Sequence, residues 1–192
     1  MIGLKVIMGD PSNATGSDAF AWVGASFSLD DYKIRFKMAK QFFTADMQTI
    51  ARYASRVHKI IKPNFMAIET NNRGKDILDL FHRKYHMKWL KGVATSANMT
   101  DKARAKGFTM DKPFMVQWFQ EQMKDHNILF PDAPRKDMQE FIDQVPKIVE
   151  TKTLTGLTSY KAHRGQHDDL FMAGLHCCNF IRLFIEQQEQ LK

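Results

Sequence analysis

The sequence has 192 residues, of which 44% are hydrophobic and 26% are charged. A chain of this length buries one ordinary core and is too short for two domains of usual size, and its composition excludes a disordered protein. Lys and Arg outnumber Asp and Glu by 28 to 21, and the resulting formal charge of +7 favours a polyanionic partner without requiring one.

The first half of the chain predicts the element order βββαβαβ. Short apolar or alternating runs predict strands over residues 4–8, 19–28, 32–36, 65–68 and 89–94. Helical spacing of apolar residues predicts helices over residues 46–61 and 73–86. The first three strands follow one another closely, which predicts an antiparallel meander.

The second half is mainly helical after a polar stretch. Residues 95–112 carry several lysines and few apolar side chains, which predicts a long exposed loop. Helices are predicted over residues 113–126, 138–149 and 166–188, and extended segments over residues 128–130 and 154–162. A run of strands followed by strands alternating with helices predicts an α/β protein with a mixed sheet and helices on its faces. No repeat or linker interrupts it, so we expect one domain over residues 1–192.

Cysteine content and hydropathy suggest a compartment. The two cysteines, Cys177 and Cys178, are neighbours and are badly placed to pair with each other, so we predict reduced core thiols in an intracellular protein. The most apolar stretch, residues 170–185, is interrupted by His176, Asn179 and Arg182, and the N-terminus lacks a signal-peptide core. We therefore expect a soluble protein without a membrane partner.

Four carboxylates stand where predicted strands or helices end. Asp10 closes the first strand, Glu69 closes the fourth, and Asp168 and Asp169 open the last helix. Sites in open sheets gather at the carboxyl ends of strands, so Asp10 and Glu69 meet there if their strands are neighbours. Each residue alone also suits a turn or a helix cap. Their joint appearance in this order is the stronger signal.

Such a cluster suits divalent cations. Carboxylate oxygens are the ligands that hard cations such as Mg²⁺ prefer. Two such ions, roughly 3.5–4 Å apart, can clamp the attacking and leaving oxygens of a phosphodiester. One carboxylate must then bridge both ions, and Asp10 on a central strand is the natural candidate.

Three segments carry a resemblance to a known family. They are Asp10-Pro11 with Gly16-Ser17-Asp18, then Ile68-Glu69-Thr70-Asn71 with Gly74, then Gly165-Gln166-His167-Asp168-Asp169 at a helix start. This order resembles the nuclease domain of the large terminase subunit of tailed viruses. The resemblance covers nearly the whole chain and implies a ribonuclease H-like mixed sheet, with an antiparallel three-strand meander plus parallel strands flanked by helices.

The resemblance also implies a reaction and its residues. It implies metal-dependent cleavage of double-stranded DNA during viral genome packaging, with two Mg²⁺ or Mn²⁺ ions as cofactors. It carries onto Asp10, Glu69 and Asp168 or Asp169 as catalytic metal ligands, and the choice between the two neighbours stays open. Asp18 would be an accessory acid, and His167 would position a water or contact the scissile phosphate.

Basic residues provide candidates for binding DNA phosphates. The candidates are Lys102, Arg104, Lys106, Lys112, Lys161 and Arg164. No helix-turn-helix or zinc-finger motif appears, so we expect little sequence specificity. The sequence has no G-x-x-x-x-G-K-[ST] phosphate loop, so the packaging ATPase is expected to lie outside this chain.

The resemblance further implies partners and a location. The packaging ATPase domain, the small terminase subunit and the portal would be partners, and the protein would act in the cytoplasm of the infected host cell. Two alternatives remain open at this point: a Holliday-junction resolvase-like nuclease, and a non-catalytic module that docks on DNA or on the motor.

Overall fold

A mixed β-sheet forms the centre of the protein. The computed structural model describes residues 3–11, 19–71, 73–96, 109–152, 158–162 and 167–190. The strands of the sheet are β1 (Gly3–Asp10), β2 (Phe20–Ser28), β3 (Ile34–Phe42), β4 (Phe65–Glu69), β5 (Lys91–Ser96), β6 (Thr109–Asp111) and β7 (Ile128–Leu129). A separate antiparallel hairpin pairs β8 (Ile148–Lys152) with β9 (Thr158–Ala162).

The strand order within the described ranges is β6-β5-β4-β1-β2-β3-β7. Strands β1, β2 and β3 form the predicted antiparallel meander. On the other side of β1, strand β4 pairs in parallel, and β5 and β6 extend the sheet in the same direction. Strands β1 and β4 are thus neighbours, which is the condition that the sequence left open.

Helices cover both faces of this sheet. They are α1 (Met47–Ile61), α2 (Gly74–Lys84), α3 (Lys112–Lys124), α4 (Lys136–Gln144) and α5 (Asp169–Gln190), with a 3₁₀ turn at Val145–Lys147. Helix α1 begins at the cap residue Asp46, whose carboxylate accepts from the Gln48 amide, and ends at left-handed Lys62 before Pro63. None of the helices in the described ranges is long and apolar enough to span a membrane.

Alternation along the strands divides the core into two layers. On β1, Val6 and Met8 face the layer that contains α3, α4 and α5, whereas Ile7 faces the layer under α1 and α2. On β4, Ala67 faces the layer that contains α5, and Ile68 faces the layer under α1 and α2. Because successive strand residues point to opposite faces, residues two positions apart share a layer. This rule fixes the face on which the strand-terminal residues lie.

Helix α5 is the main cover of the first layer. Every residue from Leu170 to Asn179 is buried, including the polar His176 and Asn179 that interrupt its apolar pattern. Both predicted core thiols lie in this stretch and are free and buried. The thiol of Cys177 donates to the Val23 carbonyl at 3.3 Å, and burial raises the pKa of this thiol far above its usual value.

Three element boundaries predicted from the sequence are wrong. Strand β3 continues past Phe36 to Phe42 because its second half pairs with β2 across a register shift at Gly24 and Ala25. Residues 109–111 of the predicted loop form β6, which pairs with β5. The helix predicted to reach residue 149 ends at Gln144, because Pro146 cannot donate a backbone hydrogen bond, and β8 follows.

Gly174 allows α5 to approach α4 closely. A Cβ added at Gly174 would lie 2.4 Å from Cζ of Phe141. That ring cannot yield, because it is fully buried and packs edge-on against Phe36 and Phe130.

We expect Gly174→Ala to lower the free energy of unfolding by about 1–3 kcal/mol, as overpacked cores do. Helix propensity alone would give the opposite sign, a gain of about 1 kcal/mol. Urea denaturation measures the difference. A variant as stable as the parent would contradict the close packing, and a double-mutant cycle with Phe141→Leu should show that shortening the ring recovers part of the loss.

Candidate active site

The carboxyl ends of β1 and β4 lie side by side. Gly9 pairs with Ile68, so Asp10 and Glu69 are the next residues along two adjacent parallel strands. Both follow a residue of the α5 layer by two positions, Met8 and Ala67 respectively. Alternation therefore places both carboxylates on the face that α5 covers.

The N-terminal turn of α5 brings the other two carboxylates to this place. The Asp168 carbonyl accepts from the Met172 amide at 2.7 Å, and Asp169 is the first helical residue. The Asp169 carboxylate accepts from the Ala19 amide at 3.3 Å, just before β2. Asp168 lies 3.6 Å from Nζ of Lys112, at the start of α3. The two neighbours thus take different partners.

Asp10 is the centre of the negative charge. Burial raises the pKa of this half-buried carboxyl well above its usual value, and the charges of Glu69, Asp169 and Asp168 raise it further, in that order. Lys112 acts in the opposite direction but does not compensate them. The charges of the other three predicted acids therefore all act on Asp10, and Asp169 acts on it more strongly than Asp168 does.

Glu69, by contrast, is held in its charged form. Its side chain is 13% exposed, and this burial would raise its pKa. Hydrogen bonds from His176 and Thr95, with the charge of His176, outweigh burial and lower the pKa below its usual value. Oε1 accepts from the Asn71 amide at 2.9 Å, and Oε2 lies 3.4 Å from Nε2 of His176.

A tight turn after β4 fixes Asn71 in place. The side-chain amide of Asn71 also donates to the backbone carbonyl of Thr95 at 2.7 Å. The backbone carbonyl of Asn71 accepts from the backbone N–H of Gly74 at 2.9 Å. A Cβ on Gly74 would lie 2.0 Å from the Glu69 carbonyl oxygen, so only glycine fits there. This turn explains why Gly74 follows Glu69 at this spacing.

His167 lies at the rim of the cluster. Its Nδ1 is 3.9 Å from the Asp169 carboxylate, and its ring meets that of Phe43 edge-on with centroids 6.5 Å apart. Phe43 is 65% exposed and follows β3 directly. The imidazole is thus close enough to act with Asp169, and it remains accessible from outside.

Several predicted residues lie outside the described part of the chain. These are the accessory acid and most of the DNA-binding candidates: Asp18, Lys102, Arg104, Lys106 and Arg164. For Lys161 the structure describes the β9 backbone but not the side chain. Lys112 is described, and it faces the carboxylates rather than a separate basic surface.

His176 is a site residue that the sequence analysis missed. It appears there only as a polar interruption of an apolar run. The signal that would have found it is its distance of seven residues from Asp169, because positions seven apart lie on nearly the same face of a helix.

The donor set suits a divalent cation in its chemistry. Four carboxylates at one end of the sheet offer the hard oxygen ligands that Mg²⁺ and Mn²⁺ prefer. The uncompensated charge at Asp10 is what a bound cation would neutralise. Within the described ranges, however, no three Asp, Glu, His or Cys side chains converge closely enough to hold one ion.

Comparison with known proteins finds solved structures with a similar fold. No protein-family model and no curated protein matches the sequence. The large terminase nuclease from thermophilic phage G20c is 13% identical with a TM-score of 0.60, over 91% of this chain and 80% of that one. The g2p (large terminase) nuclease domain from bacteriophage SPP1 is 12% identical with a TM-score of 0.59, over 91% and 84%.

A third structure extends this similarity. The nuclease domain of the large terminase subunit gp2 of bacterial virus Sf6 is 12% identical with a TM-score of 0.63, over 91% of this chain and 87% of that one. At such identities the similarity is one of fold. The chain has the fold of large terminase nuclease domains, and the predicted ribonuclease H-like mixed sheet is confirmed.

The raised pKa of Asp10 predicts a pH-dependent cost to the metal-free protein. When the pKa of a carboxyl is higher in the folded protein than in the unfolded chain, the free energy of unfolding falls as the pH rises between these two pKa values. Above the folded-state pKa the full loss is present. Asp10→Asn removes this cost. We therefore expect the variant to be more stable than the parent in EDTA at neutral pH, with a difference that shrinks as the pH falls toward 4.

Urea denaturation in EDTA across this pH range measures the difference. Asp30→Asn is the matched control, because Asp30 is exposed on the turn after β2. Equal effects of the two substitutions at neutral pH would contradict the electrostatic description of Asp10.

Proposed function

We propose that this protein is a metal-dependent endonuclease that hydrolyses double-stranded DNA, with little sequence specificity, during viral genome packaging. The observation that carries the proposal is the juxtaposition of Asp10, Glu69, Asp168 and Asp169 at one end of the sheet. That juxtaposition occurs in a fold shared with large terminase nuclease domains.

The carboxylates would hold two divalent cations, Mg²⁺ or Mn²⁺. Asp10 is the candidate bridging ligand because the other three acids act on it, and Glu69 with Asp168 or Asp169 would complete the two sites. Carboxylates that no cation bridges repel one another, so binding would draw them together. Among the structural neighbours, G20c terminase nucleases hold magnesium and cobalt, and the SPP1 domain holds Mn.

When bound, the cations would supply a nucleophile at neutral pH and stabilise the charge on the leaving oxygen. The chain's own groups orient the reaction. Glu69, fixed by Asn71 and His176, keeps its carboxylate in one position. His167, at the rim beside Asp169, would contact the scissile phosphate or position the water. Lys112, whose ammonium faces the cluster, would bind a phosphate of the substrate.

The DNA-binding surface and the partners are part of the same proposal. We assign phosphate contacts to Lys102, Arg104, Lys106, Lys161 and Arg164 together with Lys112, consistent with the net charge of +7. The packaging ATPase, the small terminase subunit and the portal are the proposed partners, and the host cytoplasm is the proposed location. The single domain over residues 1–192 would supply the nuclease part of that assembly.

Asp10→Ala should abolish cleavage. We expect the rate of supercoiled-plasmid nicking in Mn²⁺ to fall by more than about 100-fold, since a bridging ligand supports several kcal/mol of charge stabilisation. The measurement is a time course on supercoiled plasmid, with Asp30→Ala as the control. A melting curve of Asp10→Ala in EDTA separates loss of activity from unfolding. Nicking by Asp10→Ala at the parent rate would refute the proposal.

Metal binding separates a nuclease from a non-catalytic docking module. A ligand that binds only the folded state stabilises it by about 2.7 kcal/mol when its free concentration is 100 times its Kd. We expect Mn²⁺ to raise the melting temperature of the parent and not that of Asp10→Ala. Thermal denaturation with and without Mn²⁺ is the test, and an unchanged parent would favour the docking module.

A further inference from the structure

We propose that His176 is a positioning residue for Glu69: its Nε2–H donates to the Glu69 carboxylate and orients it for cation binding. This inference rests on the proposed function, because it concerns how the same site takes up its metal. His176 would not touch the metal or the substrate. It would act through Glu69 alone.

The geometry of the contact supports this role. Nε2 of His176 lies 3.4 Å from Oε2 of Glu69 and 3.3 Å from Oγ1 of Thr95. Val93 faces the α5 layer, and Thr95, two positions further along β5, is on the same side. The imidazole, the hydroxyl and the carboxylate therefore meet between the sheet and α5. A ring nitrogen that faces a carboxylate in this way carries its hydrogen on Nε2.

Burial of His176 gives this contact a desolvation cost. The His176 side chain is 0% exposed and is surrounded in sequence by the buried Leu175 and Cys177. An apolar side chain at this position would pack against the sheet without a desolvation penalty. The polar residue stands where α5 crosses Glu69, seven residues after Asp169. One helix face thus presents one acid of the cluster and the donor that holds another.

The donors of Glu69 leave room for a cation. Asn71 donates to Oε1, His176 approaches Oε2, and the Thr95 hydroxyl is a third donor to the carboxylate. An ionised carboxylate accepts at about four lone-pair sites, so these three donors leave about one site for a metal. Hydrogen bonds of this kind to ligating groups typically change metal affinity by about 10–100-fold.

The test compares two substitutions of His176. His176→Gln keeps an N–H donor near the position of Nε2, whereas His176→Leu keeps the volume and removes the donor; both residues suit a helix. Isothermal titration with MnCl₂ alone gives the Kd of each protein. We expect His176→Leu to raise the Mn²⁺ Kd by at least about 10-fold, and His176→Gln to stay within about threefold of the parent.

Plasmid nicking supplies a second readout. We expect the Mn²⁺ concentration for half-maximal nicking to rise with the Kd in His176→Leu, while the rate at saturating Mn²⁺ stays within about threefold of the parent. Cys178→Ala is the matched control, because Cys178 is equally buried on α5 two residues further along. It should lose stability without any change in Mn²⁺ affinity.

A third variant keeps the test informative if His176→Leu does not fold. Thr95→Val removes the hydroxyl beside both His176 and Glu69 from a half-buried strand position, and it should weaken Mn²⁺ binding while Cys178→Ala does not. Unchanged Mn²⁺ affinity in His176→Leu, or in Thr95→Val where His176→Leu does not fold, would overturn the positioning role.

Failure of this inference differs from failure of the proposed function. If the parent binds Mn²⁺ and nicks DNA, Asp10→Ala does neither, and His176→Leu matches the parent, the positioning role alone is wrong. If the parent neither binds Mn²⁺ nor nicks DNA, the proposed function is wrong and the inference falls with it.

Discussion

The burial of Asp10 beside three other carboxylates is the interaction on which the rest of the site depends. Burial and the charges of the three neighbouring carboxylates raise the pKa of Asp10, and the ammonium of Lys112 does not offset them. A fold accepts such an arrangement only where surrounding structure holds it in place. Carboxylates are thus concentrated at this end of the sheet, although the overall charge of the chain is positive.

Rigid surroundings hold that region. Asp10 ends a strand with a partner on each side, and Glu69 ends the strand next to it. Helix α5 approaches closely because Gly174 leaves space for the Phe141 ring, and the turn after Glu69 closes because Gly74 carries no side chain. These contacts fix the backbones of the acids, and the Glu69 carboxylate is further held by Asn71 and His176.

Much of this arrangement was predictable from local patterns. Short apolar runs predicted β1 and β4, the largely apolar stretch of residues 170–185 predicted α5, and the position of the acids at element ends suggested a common edge. The adjacency of β1 and β4 was not predictable by the same means, because strand pairing depends on contacts distant in sequence. Strand β3 was underestimated for the same reason: its second half is polar, and its pairing with β2 decides its structure.

Within the site, too, local sequence patterns could not predict features that depend on tertiary contacts. Asp168 and Asp169 are equivalent as sequence, and only the tertiary contacts with Lys112 and Ala19 distinguish them. In the sequence, His176 is a polar interruption of an apolar helix. Its role depends on its contact with Glu69, which lies 107 positions earlier in the chain, so local patterns could not reveal it.

The two buried thiols of α5 have a practical consequence. The thiolate is the reactive form of cysteine, and burial raises the pKa of the Cys177 and Cys178 thiols, which disfavours that form. Alkylating reagents should therefore leave the native chain unmodified. One cysteine introduced on the surface would then be the sole labelling position, so a fluorophore could report on DNA binding without any change to the core.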